Sequence, residues 1–215
     1  MQKVYFISGL GADKRAFSFL DLSFCEPVFI NWLPPKPKET LEAYAARLQA
    51  TITEPTPIIV GLSFGGMLAT EMAKNDSNAK VVIISSNKTT AEFPFWLKIG
   101  KYLPIYQWLP DIAFTTTKLG VYWFMGAKTD TEKAAIKAIV NDAKVDFYKW
   151  AIGAILHWQN REVPKNVFHV HGTSDKTLPF FLTKSVDVSI KGGEHLMIMN
   201  KAAEISALLL KKVSG

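Results

Sequence analysis

Apolar residues along this chain recur in two ways, as short unbroken runs and as longer stretches in which they return every third or fourth position. Val4–Ser8, Ile58–Val60, Lys80–Ser85 and Val167–His171 are runs of the first kind, rich in valine and isoleucine, and such runs form strands buried on both faces. Pro27–Trp32 and Ser185–Ile190 read as two further strands. The helical spacing fills the intervals. Lys14–Leu20 starts a covering helix; Leu41–Ile52 follows a Thr40 cap and carries Leu41, Tyr44, Ala45, Leu48 and Ile52 on one face; Gly66–Lys74 and Ala202–Val213 are further helices. Strands alternating with helices imply a mainly parallel, six-stranded sheet covered on both faces and joined by right-handed crossovers. The alternation stops after Asn87. Helical patterns over Phe93–Leu103, Asp111–Met125 and Thr131–Asp142, divided by Pro104, Pro110 and Gly126, imply a helical insertion at about 88–145 within one domain spanning 1–215. Asp146–Trp158 returns the chain to the sheet.

Composition narrows the class. The 215 residues are 48% hydrophobic and 20% charged, enough to bury one substantial core and too apolar for a disordered chain. The net charge of +6 comes from scattered lysines without a basic run, which argues against a nucleic-acid partner. Cys25 is the only cysteine, so no intrachain disulfide forms and no zinc-ligand spacing exists. The first residues enter a strand directly, leaving no room for a signal peptide, and no apolar stretch is long enough to span a bilayer. A cytoplasmic location is the expectation.

In a parallel sheet of this kind, ligands bind beyond the carboxyl ends of the strands. Four loops there carry chemistry: Gly9-Leu10-Gly11, Gly61-Leu62-Ser63-Phe64-Gly65, His171-Gly172-Thr173-Ser174-Asp175 and Gly192-Gly193-Glu194-His195. The second runs straight from strand into helix. It matches the G-x-S-x-G turn, in which glycines two positions either side of a serine let strand and helix pass closely and leave the hydroxyl exposed. A serine hydroxyl needs a general base to become nucleophilic, and an imidazole suits that task near neutrality. The imidazole needs a carboxylate on its other nitrogen. Ser63, Asp175 and His195 stand in the order Ser, Asp, His, each just past a strand end. Asp142 and Asp146 precede the fifth strand, and Glu194 adjoins the histidine itself, so Asp175 is the stronger candidate. His169 reads as a core residue, His171 as a structural hydrogen-bonding residue, and His157 as a rim residue. Asp13, Lys14 and Arg15 read as solvated charges at a helix start.

GLSFGG, HGTSDKTLP and GGEH resemble the nucleophile, acid and histidine loops of the α/β-hydrolase family, and the resemblance covers nearly the whole chain outside 88–145. The family usually begins with two further strands that this chain lacks. The resemblance implies an oxyanion site made of the backbone N–H groups of Leu10 and Phe64. Ser8-Gly9 stands where the family often has His-Gly, and Leu62 where it often has histidine. No metal or organic cofactor is implied.

Of the chain's 26 aromatic residues, 14 lie between 88 and 158, more than a small helical cap needs for its own core. The segment therefore reads as a lid with an apolar pocket beneath it, for which Phe95, Trp96, Trp123, Phe124 and Trp150 are the candidate walls. The reading that follows is hydrolysis of a small, largely apolar ester or thioester through an acyl-enzyme at Ser63. An acyltransferase, a carbon–carbon bond hydrolase using the same three residues, and a ligand sensor on a hydrolase scaffold stay open at this point.

Overall fold

The computed structural model describes the chain except Thr117, Lys118, Ala143, Gly215 and the side chain of Leu119. Its centre is a six-stranded parallel sheet: β1 (Lys3–Ile7), β2 (Glu26–Phe29), β3 (Ile58–Leu62), β4 (Lys80–Ile84), β5 (Val167–Gly172) and β6 (Val188–Ile190), in spatial order β2-β1-β3-β4-β5-β6. The order reverses between β1 and β3, so the connections leaving their carboxyl ends run to opposite sides and open a crevice there, the place where such sheets bind ligands. All of β3 and the last four residues of β1 and β4 are buried, as their unbroken apolar runs require.

Alternation along the strands feeds two cores. Tyr5, Ile7, Ile59, Val81 and Ile83 face helices α1 (Leu41–Gln49) and α2 (Phe64–Asn75). Val4, Phe6, Ile58, Val60 and Leu62 face the opposite layer, which includes a short α8 (Met197–Asn200) and α9 (Ala202–Ser214). Five helices lie between β4 and β5: α3 (Phe95–Gly100), α4 (Ile112–Thr115), α5 (Leu119–Met125), α6 (Asp130–Asn141) and α7 (Val145–His157). Thr129 and Glu132 close a reciprocal capping box that fixes the start of α6. On α7, Phe147 and Trp150 pack against Tyr44 and Phe64, which seats that helix on α1 and α2.

Several elements differ from their sequence-based bounds. Lys14–Phe17 is a single 3-10 turn rather than a helix to Leu20, because Asp13 caps Arg15 tightly and the following bonds close three residues back. The second strand stops at Phe29, and Trp32 instead turns its indole N–H to Ala12 O at 2.6 Å. The sixth strand begins at Val188, since the Asp187 carboxylate accepts the His169 backbone N–H in place of a ladder bond. The helix expected over 111–125 divides at Thr116, which is extended, and Thr117 and Lys118 lie outside the described residues.

Candidate active site

The serine turn is built by what its neighbours lack. A Cβ on Gly61 would lie 2.5 Å from Gly65 O, and a Cβ on Gly65 would lie 2.3 Å from both Ile7 O and Ser8 O. With both absent, α2 crosses directly over the end of β3. Ser63 at the apex takes φ 51° and ψ −117°, a region that costs a non-glycine residue about 1–3 kcal/mol and persists only where surroundings impose it. They do so here through its backbone: Ser63 N–H donates to Ile84 O at 2.9 Å, and Ser63 O accepts the Ser86 hydroxyl at 2.7 Å.

The Ser63 hydroxyl lies 2.9 Å from His195 Nε2. His195 Nδ1 lies 2.8 Å from Asp175 Oδ2, and because a carboxylate oxygen only accepts, Nδ1 carries the hydrogen and Nε2 is left to accept from Ser63. The other oxygen of Asp175 accepts the backbone N–H groups of Thr177 and Leu178, each at 2.8 Å. His195 and Asp175 are both buried. Burial alone would raise the Asp175 pKa, but His195, the Leu178 N–H and His171 together outweigh it and hold the carboxyl below the usual range. Fixed in this way, the carboxylate stays ionised against the imidazole.

The Gly9–Ala12 loop at the end of β1 runs beside Ser63, with Gly9 close enough that a Cβ there would sit 3.6 Å from Ser63 Cβ. Ala12 N–H bonds back to Gly9 O, while Ala12 O accepts both the Ser8 hydroxyl and the Trp32 indole at 2.6 Å. Among the described residues, neither Leu10 N–H nor Phe64 N–H donates to a protein acceptor. Phe64 is the first residue of α2, where backbone N–H groups have no helical partner and the helix dipole favours negative charge.

Glu194 joins the histidine loop to two others. Its Oε1 lies 3.2 Å from Lys128 Nζ and 3.4 Å from Lys176 Nζ, and Leu196 N–H donates to Met125 O at 3.1 Å. The end of α5 is thereby tied to the segment that carries His195.

A cavity of about 120 Å3 opens on Ser63 and His195. Its far walls come from the segment between β4 and β5: Val121 and Met125 of α5, Ile136, Ile139 and Val140 of α6, and Tyr148 of α7. The Tyr148 ring occupies the space that a Cβ on Gly11 would take, and Gly11, at φ +65°, has none. Burial pushes the Tyr148 phenol up to about 12, so it stays protonated near neutrality.

None of the five aromatics expected as pocket walls lines this cavity. Phe95, Trp96, Trp123 and Phe124 are exposed on the outer surface, and Trp150 packs on Tyr44 and donates its indole N–H to Glu39 O. The reason is helical geometry. On α5, Val121 and Met125 stand four residues apart and share the inner face, which sets Trp123, two residues from each, on the opposite side and leaves Phe124 at the exposed flank. The signal that would have found the walls is the aliphatic stripe Ile136, Ile139, Val140 on α6. Of the other candidates, Asp142 pairs with Arg15 at the surface and His157 is exposed. His169 and His171 are fully buried and bonded to each other.

A parallel sheet with Ser63, His195 and Asp175 in hydrogen-bonded contact beyond its strand ends defines the α/β-hydrolase class of architecture. Residues 4–208 match the model of the alpha/beta hydrolase family, and the chain belongs to that family. No curated protein matches its sequence. Solved structures match its fold closely at low identity. A hydrolase from Pseudomonas aeruginosa PA01 has a TM-score of 0.74 at 11% identity, covering 100% of this chain and 90% of that one. A structure from the thaumarchaeon Nitrososphaera gargenis, described in a study of its carboxylesterases, has 0.72 at 12%, covering 99% and 90%. Bromoperoxidase from Bacillus anthracis has 0.68 at 17%, covering 100% and 92%. At these identities the likeness is one of fold. No helix among the described residues is long and apolar enough to cross a membrane.

Proposed function

We propose that this protein is a serine hydrolase that cleaves small, largely apolar carboxylic esters or thioesters through an acyl-enzyme on Ser63. The observation that carries the reading is the unbroken run of hydrogen bonds from Ser63 Oγ through His195 to Asp175, at 2.9 and 2.8 Å, opening onto an apolar cavity. Ser63 Oγ attacks the substrate carbonyl while His195 Nε2 takes its proton, and Asp175 stabilises the imidazolium. The carbonyl oxygen becomes an oxyanion facing Leu10 N–H and Phe64 N–H, each such donor contributing about 3 kcal/mol in comparable sites. Collapse breaks the bond to the alkoxide or thiolate, which leaves with the proton from His195. Water, deprotonated by the same nitrogen, then releases the acid and restores Ser63.

The cavity suggests which acyl groups fit. An engineered protein cavity of about 150 Å3 holds benzene, so the 120 Å3 here suits a group of about four or five carbons. The lining is aliphatic apart from Tyr148 and the catalytic groups, which favours unbranched or singly branched acyl chains over charged ones. The helical segment between β4 and β5 acts as the lid, and the Lys128–Glu194 ion pair with the Leu196 N–H to Met125 O bond holds it against the histidine loop.

A chain-length panel of nitrophenyl esters, from acetyl to decanoyl, tests the reading with the wild type and Ser63→Ala. Turnover that peaks at butanoyl to pentanoyl and is lost in the variant is expected. Equal turnover by the two proteins would overturn it.

A further inference from the structure

Behind Asp175, β5 contributes two histidines from alternate positions, and both are fully buried. His171 Nε2 lies 2.8 Å from Leu178 O. A carbonyl only accepts, so this nitrogen carries a hydrogen, and the same N–H lies 3.4 Å from Asp175 Oδ2. That is the oxygen that receives His195 Nδ1–H. Burial pushes both β5 histidines toward the neutral form. A neutral His171 protonated on Nε2 presents Nδ1 as an acceptor, and His169 Nε2 sits 3.0 Å from it. His169 must therefore be the donor, which leaves its own Nδ1 as a bare acceptor, and that atom has no partner. With both rings neutral, His169 donates to His171 and His171 donates to Leu178 O, which leaves the same Nε2–H 3.4 Å from Asp175 Oδ2.

We propose that His171 is a positioning residue of the site: its Nε2–H, bonded to Leu178 O, stands 3.4 Å from Asp175 Oδ2 and draws off part of the negative charge of the oxygen that faces His195. His169 fixes the tautomer that makes this possible. The role rests on the proposed function above, since it concerns how strongly Asp175 supports a protonated His195. The positive end of an N–H dipole beside a carboxylate weakens that carboxylate's hold on a neighbouring cation. Removing the His171 donor therefore makes His195 easier to protonate.

Other charges surround these groups. Lys88 and Glu92 from the segment after β4 and Asp187 before β6 face the buried pair, and Glu194 with Lys128 and Lys176 stands beside His195. None of them is replaced by substitution at 171, and the difference between a variant that keeps a donor there and one that lacks it isolates the N–H facing Asp175.

The test is an NMR titration of the imidazole nitrogens in uniformly labelled protein, which holds only four histidines. His171→Gln carries an amide N–H that can reach Leu178 O and stand beside Asp175; His171→Leu fills similar space without a donor. In the leucine variant the His195 titration midpoint should rise by about half a pH unit or more, and in the glutamine variant it should stay within about 0.2. The acid limb of any ester turnover should move with it. An unmoved midpoint in the leucine variant, or equal movement in both, would overturn the proposal. Should the leucine variant fail to fold, His171→Asn, whose shorter amide cannot reach Asp175, takes its place with the same expected rise. The readout is on the imidazole and needs no turnover, so an absence of esterase activity would count against the proposed function and leave this result to be judged separately.

Discussion

Acidification should destabilise this protein from inside its sheet, at His169. The imidazole is fully buried, lies against His171 and is near Lys88; burial first, and those two neighbours after it, lower its pKa from the ordinary 6.5 to about 2. Between about pH 7.5 and about pH 5 the folded protein therefore takes up no proton there, while the unfolded chain takes up nearly one. Stability rises with pH wherever the unfolded state binds more protons, so the loss sets in as the pH falls through about 6.5 and grows by about 1.4 kcal/mol per unit. By about pH 5 it reaches about 2 kcal/mol, a large part of the 5–15 kcal/mol that holds a typical domain together. The size of the effect is unchanged for any folded-state value below about 4. His171, also lowered by burial, adds in the same direction, whereas Asp175, lowered from 3.8, adds only below that pH and stays outside the window. His169→Gln keeps an amide N–H for His171 and removes the titration. Urea unfolding at several pH values should give a wild-type stability that falls about 2 kcal/mol further than the variant's by about pH 5. Parallel curves for the two proteins would refute a neutral His169.

Three further outcomes follow from the geometry. Ser63→Gly should be about 1 kcal/mol more stable than Ser63→Ala in thermal unfolding, because glycine relieves the φ of 51° that alanine must still adopt. Gly65→Ala should lose about 3 kcal/mol, or fail to fold, since its Cβ would press on the backbone oxygens of Ile7 and Ser8, which have no rotamer to escape into. Val140→Phe should fill the cavity wall and lower kcat/KM for a pentanoyl ester at least about tenfold while sparing an acetyl ester, measured side by side.

The sheet was legible because its strands are unbroken apolar runs, a pattern that buried parallel strands require and few other elements share. The approach of Ser63, Asp175 and His195 was legible because each stands at a strand end and one sheet edge gathers them. The pocket was not. Counting aromatics between 88 and 158 cannot say which face of a helix they occupy, and the packing of α7 on Tyr44 took up Phe147 and Trp150, while Trp123 turned outward opposite Val121 and Met125 and Phe124 stayed at the exposed flank. The split of the expected helix at Thr116 was hidden for a related reason, since threonine is tolerated in helix and extended chain alike. The histidine pair escaped notice as a unit because alternation marks both residues as inward-facing but gives no sign that Asp175 folds back toward them.

The central claim is that Ser63 is a nucleophile made reactive by His195. Reaction with a fluorophosphonate, followed by mass spectrometry of the modified peptide, tests it most directly. A single adduct on Ser63 is predicted, forming at least about a hundredfold more slowly in His195→Ala. Modification elsewhere, or an unchanged rate in that variant, would contradict it.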